Sequence, residues 1–236
     1  MEIRSNIENA NSGKSPDWLE PMMGWLDRVS GLWAPEDAGR RALLESAAAE
    51  IYKLSESLAD GEALPMTFIC THNSRRSHLS QVMATVAAEF YRGDGGIAIQ
   101  AFSGGTEATA CNPRTVAAFR RAGFSVVNMS GGDNPVYLLQ YAESAEPMNL
   151  FSKIYDRAGN PEEDYVAVMT CNHADENCPI VRGASSRISL PFVDPKISDD
   201  TPEEAQTYDQ RLIEIGREMF FLFRRIAEKS AVNDHQ

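Results

Sequence analysis

The chain has 236 residues, of which 43% are hydrophobic and 24% charged, a composition typical of a globular protein. A formal net charge of −12 argues against nucleic acid as the main partner, and no apolar run approaches the roughly 20 residues that cross a bilayer. The first residues lack the basic-then-apolar pattern of a signal peptide, and four cysteines are too few for a disulfide-stapled scaffold. We therefore expect a cytoplasmic protein without a membrane partner, whose cysteines are buried thiols, metal ligands or reactive groups.

Residues 1–64 predict an N-terminal helical extension. Ser15-Pro16-Asp17 has the residue types that begin a helix, and the three tryptophans that follow are spaced to share one helical face: Trp18, Trp25 and Trp33. A second helix is predicted after Pro35 by an apolar stripe made of Leu44, Ala47, Ala48, Ile51, Leu54 and Leu58. We expect both helices to pack against the main domain, with a dimer contact or a partner-docking surface as the alternative.

Residues 65–230 predict an α/β domain, because strand and helix patterns alternate from Met66 onwards. The elements expected first are a buried strand at 66–70, a helix at 77–91, a second strand at 97–102 and a helix that begins at Asn112-Pro113 and ends at Gly123. Residues 136–156 interrupt this rhythm and predict a hairpin or a pair of edge strands. Another buried strand is expected at 164–170.

A long helix is expected to close the domain. Thr201-Pro202-Glu203-Glu204 has the spacing of a capping box at its start. Its buried stripe is predicted to consist of Tyr208, Leu212, Ile215, Met219, Leu222 and Ile226.

The segment Cys70-Thr71-His72-Asn73-Ser74-Arg75-Arg76-Ser77 lies between the first predicted strand and the helix after it. A loop that runs into a helix N-terminus directs backbone N–H groups inwards, and the helix dipole adds partial positive charge there. Cys70 is then favoured as a thiolate nucleophile, and Arg76 can present its guanidinium to two oxygens of a tetrahedral anion. The other residues expected to bind the oxyanion are Thr71, His72, Asn73, Ser74, Arg75 and Ser77. A buried cysteine beside a solvated basic turn is the alternative reading, which the strand and helix on either side disfavour.

This segment resembles the phosphate-binding loop of low-molecular-weight protein tyrosine phosphatases and of thioredoxin-coupled arsenate reductases, whose pattern is Cys-x-Gly-Asn-x-Cys-Arg-Ser. The positions that match are Cys70, Asn73, Arg76 and Ser77. His72 stands where the family has glycine, and Arg75 where it often has a second cysteine. The resemblance covers about residues 65 to 228 and implies a parallel four-stranded sheet flanked by helices.

A second pair of cysteines, Cys171 and Cys178, follows the strand predicted at 164–170. Two thiols seven residues apart in a polar segment can accept an attack and resolve it as a disulfide. A zinc site with His173 is an alternative that lacks a clear fourth ligand, and a pair of inert thiols is another. The segment Cys-x-x-Ala-Asp-Glu-x-Cys-Pro resembles the second and third redox cysteines of the arsenate reductases, which implies a thioredoxin-like reductant. The segment at residues 103–108 also resembles those reductases, whereas Cys111 has no family role and is interpreted as structural.

Asp194 lies between Pro191 and Pro195, in a stretch that on its own reads as an ordinary Asp-Pro turn. The family resemblance implies that Asp194 is the general acid that protonates the departing oxygen. Some reductases of the family have a potassium-site glutamate where this chain has Gln81, so we expect neither a bound potassium ion nor another metal cofactor.

The resemblance favours an arsenate reductase in which Cys70 attacks arsenic and a Cys171/Cys178 relay passes the oxidation to thioredoxin. The alternative is a protein tyrosine phosphatase, acting on phosphotyrosine or another aryl phosphate through a cysteinyl-phosphate. A third hypothesis is a redox or partner-binding protein without catalytic activity.

Overall fold

The computed structural model describes residues 16–31, 33–59, 61–157, 159–177 and 180–233. The α-helices are α1 Met23–Val29, α2 Ala38–Ser55, α3 Arg76–Tyr91, α4 Pro113–Arg121, α5 Asn172–Asn177 and α6 Glu204–Asn233. The strands are β1 Leu64–Cys70, β2 Ile99–Gly105, β3 Ser125–Asn128, β4 Tyr137–Gln140, β5 Met148–Leu150, β6 Tyr165–Met169 and β7 Ala184–Ser189. Within these ranges no helix has the length and apolar character needed to span a bilayer.

The central sheet has four parallel strands in the order β2-β1-β6-β7, with helices packed against it. The predicted parallel four-stranded sheet flanked by helices is therefore confirmed. β6 is buried along its whole length, as expected for an inner strand covered on both faces. Because the strands run in the same direction, their carboxyl ends lie at one edge, where both Cys70 and the residue range after β6 are found.

The predicted hairpin is present as β4 and β5, which pair antiparallel. β3 joins them and makes a second sheet of three strands, a strand that the sequence analysis did not predict. The chain enters β3 after Gly123, whose φ of +98° suits glycine and whose Cα lies so close to Pro21 that a Cβ would be 2.5 Å from the Pro21 carbonyl oxygen.

The N-terminal segment packs beside the three-stranded sheet. The prediction that the three tryptophans share one helical face is wrong. Trp18 forms an isolated bridge with Ala142 and stacks near Tyr141, and the first helical turn begins only at Glu20, just before Pro21. Trp33 follows the end of α1. The predicted N-cap Ser15 lies outside the described residues.

α1 and α2 share one hydrophobic core with α6. The buried side chains of this shared core include Met22, Trp25, Leu44, Ile51, Tyr208, Leu212, Ile215, Met219, Leu222 and Ile226. The stripe predicted on α6 is thus buried. The helix begins at Glu204, and the prediction of a capping box is wrong. The Glu204 carboxylate accepts from the Asp200 N–H at 2.7 Å, and the Thr201 hydroxyl donates to the Ser198 carbonyl.

Candidate functional site

The loop from Cys70 to Arg76 joins β1 to α3 and turns its carbonyl groups outwards. The hydrogen bonds that hold them run from Glu107 N to Thr71 O (2.8 Å), from Ser152 Oγ to His72 O (2.8 Å) and from Asn112 N to Ser74 O (3.0 Å). The N–H groups of residues 72 to 75, by contrast, donate no hydrogen bond to any residue that the structure describes. They are available as donors at the start of α3, an arrangement that suits a bound anion.

Asn73 fixes the shape of this loop. Its φ is +44°, in the left-handed region that asparagine tolerates better than most residues. Its side-chain oxygen accepts from Lys153 N at 2.9 Å, and its amide nitrogen donates to Ser77 Oγ at 2.9 Å. Gly105 passes close by, since a Cβ there would lie 2.7 Å from Asn73 N. The loop is therefore held from inside and from the neighbouring strand.

Cys70 has its sulfur 3.2 Å from Ser77 Oγ and is only 3% exposed. Because the Ser77 oxygen already accepts from Asn73, its own hydroxyl proton is free to be donated to the sulfur. A hydroxyl donor, together with the N-terminus of α3, stabilises negative charge on that atom. The environment suits a thiolate nucleophile.

Arg76 is bound to the segment that carries Asp194. Its Nη2 atom donates to Asp194 Oδ2 at 2.7 Å, and its Nη1 atom donates to the Phe192 carbonyl at 3.2 Å. Its Nε is buried and has no hydrogen-bond partner among the described residues, so a donor remains available for an anion oxygen. Asp194 also caps the short helical turn after it by accepting from Lys196 N at 3.0 Å. The structure thus brings the predicted acid and the predicted anion-binding arginine into direct contact.

Arg75 is turned towards α6. Its Nε donates to the Tyr208 hydroxyl at 2.7 Å, and its Nη2 donates to Asp199 Oδ2 at 2.9 Å. The Tyr208 hydroxyl donates in turn to Asp199 Oδ1, and burial together with that carboxylate raises the pKa of Tyr208, so the phenol stays neutral. Arg75 Nε also lies 3.9 Å from Asp194 Oδ1. Arg75 therefore braces the loop against α6 and adds positive charge beside Asp194.

His72 lies at the surface of the site. Its side chain is half exposed, and its Nε2 atom is 3.5 Å from the carboxylate of Glu107, which is also exposed. The His72 carbonyl is one of the outward-facing groups that hold the loop. His72 thus contributes its backbone to the loop and leaves its imidazole in solvent.

Cys171 lies two residues after the end of β6 and is fully buried. Since Ile69 pairs with Met169, the chain reaches Cys70 and Cys171 at the same edge of neighbouring strands. The Cys171 sulfur lies 3.6 Å from Thr71 Oγ1, and that hydroxyl is 3.2 Å from His173 Nδ1. The second thiol is thus in contact with the loop that begins at the first.

The polar segment after Cys171 forms the short helix α5. The Ala174 N–H points at the Cys171 sulfur, at 3.4 Å. Asp175 holds the helix to β7 through Arg187, at 2.6 Å, and Ser189, at 2.7 Å. Cys178, which is also one ligand of the alternative zinc site, lies outside the described residues. Among the residues described, no group of three potential ligands could hold a metal ion.

Several residues that support the site were missed by the sequence analysis, notably Ser152, Lys153, Phe192, Asp199 and Tyr208. Each contacts the loop from an element far along the chain, so no local motif marks it. Lys153 is the most unusual, because it is buried with its ammonium over the Phe151 ring and burial lowers its pKa to about 8. The available signal in the sequence was a lysine within a predicted edge strand.

Two other buried groups behind the loop are chemically quiet. Burial raises the pKa of the Cys111 thiol to about 12, which keeps it protonated. Burial lowers the pKa of His78 to about 3, which keeps the imidazole neutral, and its Nδ1 atom lies 3.1 Å from Ser103 Oγ. These values fit the interpretation of Cys111 as a structural thiol.

No family model and no curated protein matches the chain. Among solved structures, it is similar to a YwlE mutant from Bacillus subtilis, with 12% identity and a TM-score of 0.43 over 71% of this chain and 98% of that chain. A low-molecular-weight phosphotyrosine phosphatase from Vibrio cholerae O395 has 15% identity and a TM-score of 0.42, over 73% and 99%. A thioredoxin-dependent arsenate reductase from Corynebacterium glutamicum has 14% identity and a TM-score of 0.37, over 84% of each chain. The chemistry of the site has to be inferred from its own residues.

Proposed function

We propose that this protein is a thioredoxin-dependent arsenate reductase with Cys70 as its nucleophile. The observation that supports it most directly is the position of Cys171, whose sulfur lies 3.6 Å from the hydroxyl of Thr71 in the Cys70 loop. A phosphatase of this kind needs one thiol, whereas a reductase needs a second thiol that can reach the first. In this proposal residues 65–230 form the catalytic domain and residues 1–64 an extension to it.

In the first step, arsenate binds to the free N–H groups of the loop and to Arg76. The Cys70 thiolate attacks arsenic and forms a sulfur–arsenic bond. Asp194 gives a proton to the oxygen that leaves, so that it departs as water. An incoming anion competes with Asp194 for Arg76, whose Nη2 atom is 2.7 Å from that carboxylate before substrate arrives. The same exchange of partners brings a substrate oxygen close to Asp194.

In the second step, the Cys171 thiolate attacks the Cys70 sulfur. The sulfur–arsenic bond breaks, its electron pair stays with arsenic, and arsenic(V) leaves as arsenite while a Cys70–Cys171 disulfide forms. Cys178 then attacks Cys171, which frees Cys70 and leaves a Cys171–Cys178 disulfide. A thioredoxin-like partner reduces that disulfide to complete the cycle.

Cys171→Ser is the test of this relay. We expect it to abolish thioredoxin-dependent release of arsenite over many turnovers while leaving hydrolysis of an aryl phosphate within about twofold, because a phosphatase cycle uses only the first thiol. Cys111→Ala, at another buried thiol, is the matched control and should retain arsenate turnover. If Cys171→Ser reduces arsenate at the wild-type rate, the relay is wrong.

A phosphomonoesterase acting on phosphotyrosine or another aryl phosphate is the second candidate. The observation in its favour is that Asp194 binds Arg76, in the loop that begins at Cys70, without any contribution from Cys171. Cys70 would form a cysteinyl-phosphate, and water would hydrolyse it. Wild-type protein that hydrolyses an aryl phosphate but does not turn over arsenate with thioredoxin present would establish this candidate and exclude the reductase.

A further inference from the structure

We propose that Arg40, on helix α2 of the N-terminal segment, is a positioning residue for the segment that carries Asp194. The inference rests on the proposed role of Asp194 as the acid, which both candidate reactions share. It gives the N-terminal segment a part in the site although none of the described residues of that segment binds the loop itself.

The guanidinium of Arg40 is held in one orientation. Arg40 lies in the first turn of α2, where its N–H donates to Asp37 Oδ1 at 2.6 Å. Its Nε and Nη2 atoms donate to the two carboxylate oxygens of Glu218 on α6, at 2.8 and 2.5 Å. Glu218 is only 4% exposed, and burial raises its pKa while Arg40 opposes that shift. A bidentate pair of this kind fixes the plane of the guanidinium as well as its position.

The same guanidinium covers the ring of Phe192. The Arg40 Cζ atom is 4.9 Å from the centroid of that ring, which lies in the hydrophobic core and is 5% exposed. Cation–π contacts at this distance are attractive and depend on the orientation of the planar group. The side chain of Phe192 is therefore clamped between the core and a residue of the N-terminal helix.

The backbone of Phe192 belongs to the candidate site. Its carbonyl accepts from Arg76 Nη1 at 3.2 Å, and its N–H donates to the Thr170 carbonyl, at the end of β6, at 3.1 Å. Asp194 lies two residues further on and binds the same arginine. A shift of Phe192 would move the acid relative to Arg76, which lies at the start of α3. Displacements of about 1 Å in such groups can cost roughly 10²-fold in rate.

Loss of Arg40 alone would leave Glu218 as an unpaired buried charge, which destabilises proteins strongly. Two variants avoid that difficulty. Arg40→Lys keeps a positive charge near Glu218 but lacks the planar group over Phe192. The double variant Arg40→Met with Glu218→Gln removes both charges at once. Arg41→Lys is the matched control, because Arg41 is on the same helix but, among the described residues, its side chain binds only the carbonyl groups of Pro35 and Glu36.

The first measurement is kcat/KM for aryl phosphates whose leaving groups differ in pKa. A misplaced acid slows substrates with poor leaving groups more than those with good ones. We expect both Arg40 variants to lose about 10-fold to 10²-fold on phenyl phosphate and less than about threefold on 2,4-dinitrophenyl phosphate. Arg41→Lys should match the wild type on both substrates. Equal losses on the two substrates, or none, would overturn the proposal.

The second measurement is amide hydrogen exchange of the segment 190–199, which needs no activity. Both Arg40 variants should exchange faster there than wild type and Arg41→Lys, while exchange in the loop's strand β1 stays unchanged. Unaltered exchange at 190–199 would overturn the positioning role even if turnover falls. Asp194→Asn distinguishes the two ideas: if it retains the wild-type leaving-group dependence, the acid assignment fails, and the exchange data alone decide whether Arg40 holds the segment.

Discussion

The two thiol-bearing segments at the carboxyl edge of the sheet are held very differently. Around Cys70 the outward carbonyl groups of the loop accept hydrogen bonds. Both the oxygen and the nitrogen of the Asn73 side-chain amide are hydrogen-bonded, and the Ser77 hydroxyl contacts the Cys70 sulfur. Cys171 precedes a helix of six residues, and among the described residues its sulfur is contacted by one hydroxyl and one backbone N–H. The first segment is organised in advance to bind and stabilise charge, which is where rigidity favours catalysis. The relay proposed above requires the second sulfur to leave its place, and the fewer hydrogen bonds to that sulfur favour such a movement.

The largest expected effect is at Asp194, which is proposed to act in both reactions and binds Arg76 of the Cys70 loop. Asp194→Asn should lower kcat for arsenate reduction and for phenyl phosphate hydrolysis by roughly 10²- to 10⁴-fold, because the oxygen that leaves is no longer protonated. Asp200→Asn, at an exposed aspartate that pairs with Arg114, is the control and should have little effect. Steady-state assays of both reactions test this, and unchanged rates in Asp194→Asn would remove Asp194 from the mechanism.

A smaller effect is expected where the two segments touch. Thr71→Val keeps the shape of the side chain but removes the hydroxyl beside the Cys171 sulfur. We expect thioredoxin-dependent arsenate reduction to slow by roughly 3- to 10-fold, the loss of about one hydrogen bond, with aryl phosphate hydrolysis less affected.

Thr109→Val provides the comparison for Thr71→Val, since its hydroxyl donates to the His72 carbonyl of the same loop without contacting Cys171. If both variants slow the two reactions equally, the Thr71 hydroxyl acts on the loop as a whole and the contrast between the two segments is weaker than the geometry indicates.

The smallest expected effect on turnover is at Lys153, behind the rigid segment. Burial lowers the pKa of Lys153 from 10.5 to about 8. Below pH 8 the ammonium is charged in both the folded and the unfolded protein, and its burial lowers the free energy of unfolding. The penalty is relieved as the pH rises from about 8 towards 10.5, where the folded protein loses its proton first. Lys153→Met should therefore stabilise the protein by roughly 1–3 kcal/mol at pH 7, with a gain that shrinks across that window.

Urea unfolding of Lys153→Met at pH 7 and at pH 10 measures this change. Lys53→Met, at an exposed lysine, should show no such dependence on pH. A gain that is the same at both pH values would mean that the Lys153 ammonium is not desolvated in the folded protein.

The sequence predicted best those elements whose burial leaves a local pattern. β1, β6 and the stripe of α6 are continuous or periodic in apolar residues, and each is found where it was expected. β3 has a single buried residue among four, so its pattern is too weak to mark a strand. The tryptophan spacing failed because Trp18 gains more from packing near Tyr141 and pairing with Ala142 than from extending a helix.

The site divides in the same way. The loop was visible because its residues are adjacent in the sequence and their types suit one task. The pairing of Arg75 with Tyr208 and of Arg76 with Asp194 could not be predicted, because contacts between residues far apart in the chain leave no periodic pattern in the sequence. Asp194 was proposed as the acid from the family resemblance alone, because its own surroundings in the sequence are those of a common turn.

The contact between Arg76 and Asp194 spans 118 residues of chain, and the pair between Arg40 and Glu218 spans 178. At roughly 5–20 residues per second, a ribosome that has just made the loop needs about 6–24 s more to make its acid, and longer to make α6. During that interval the newly made Cys70 lacks both Asp194 and the helix that supports Arg75. The acid-assisted chemistry proposed for this site therefore becomes available only late in synthesis.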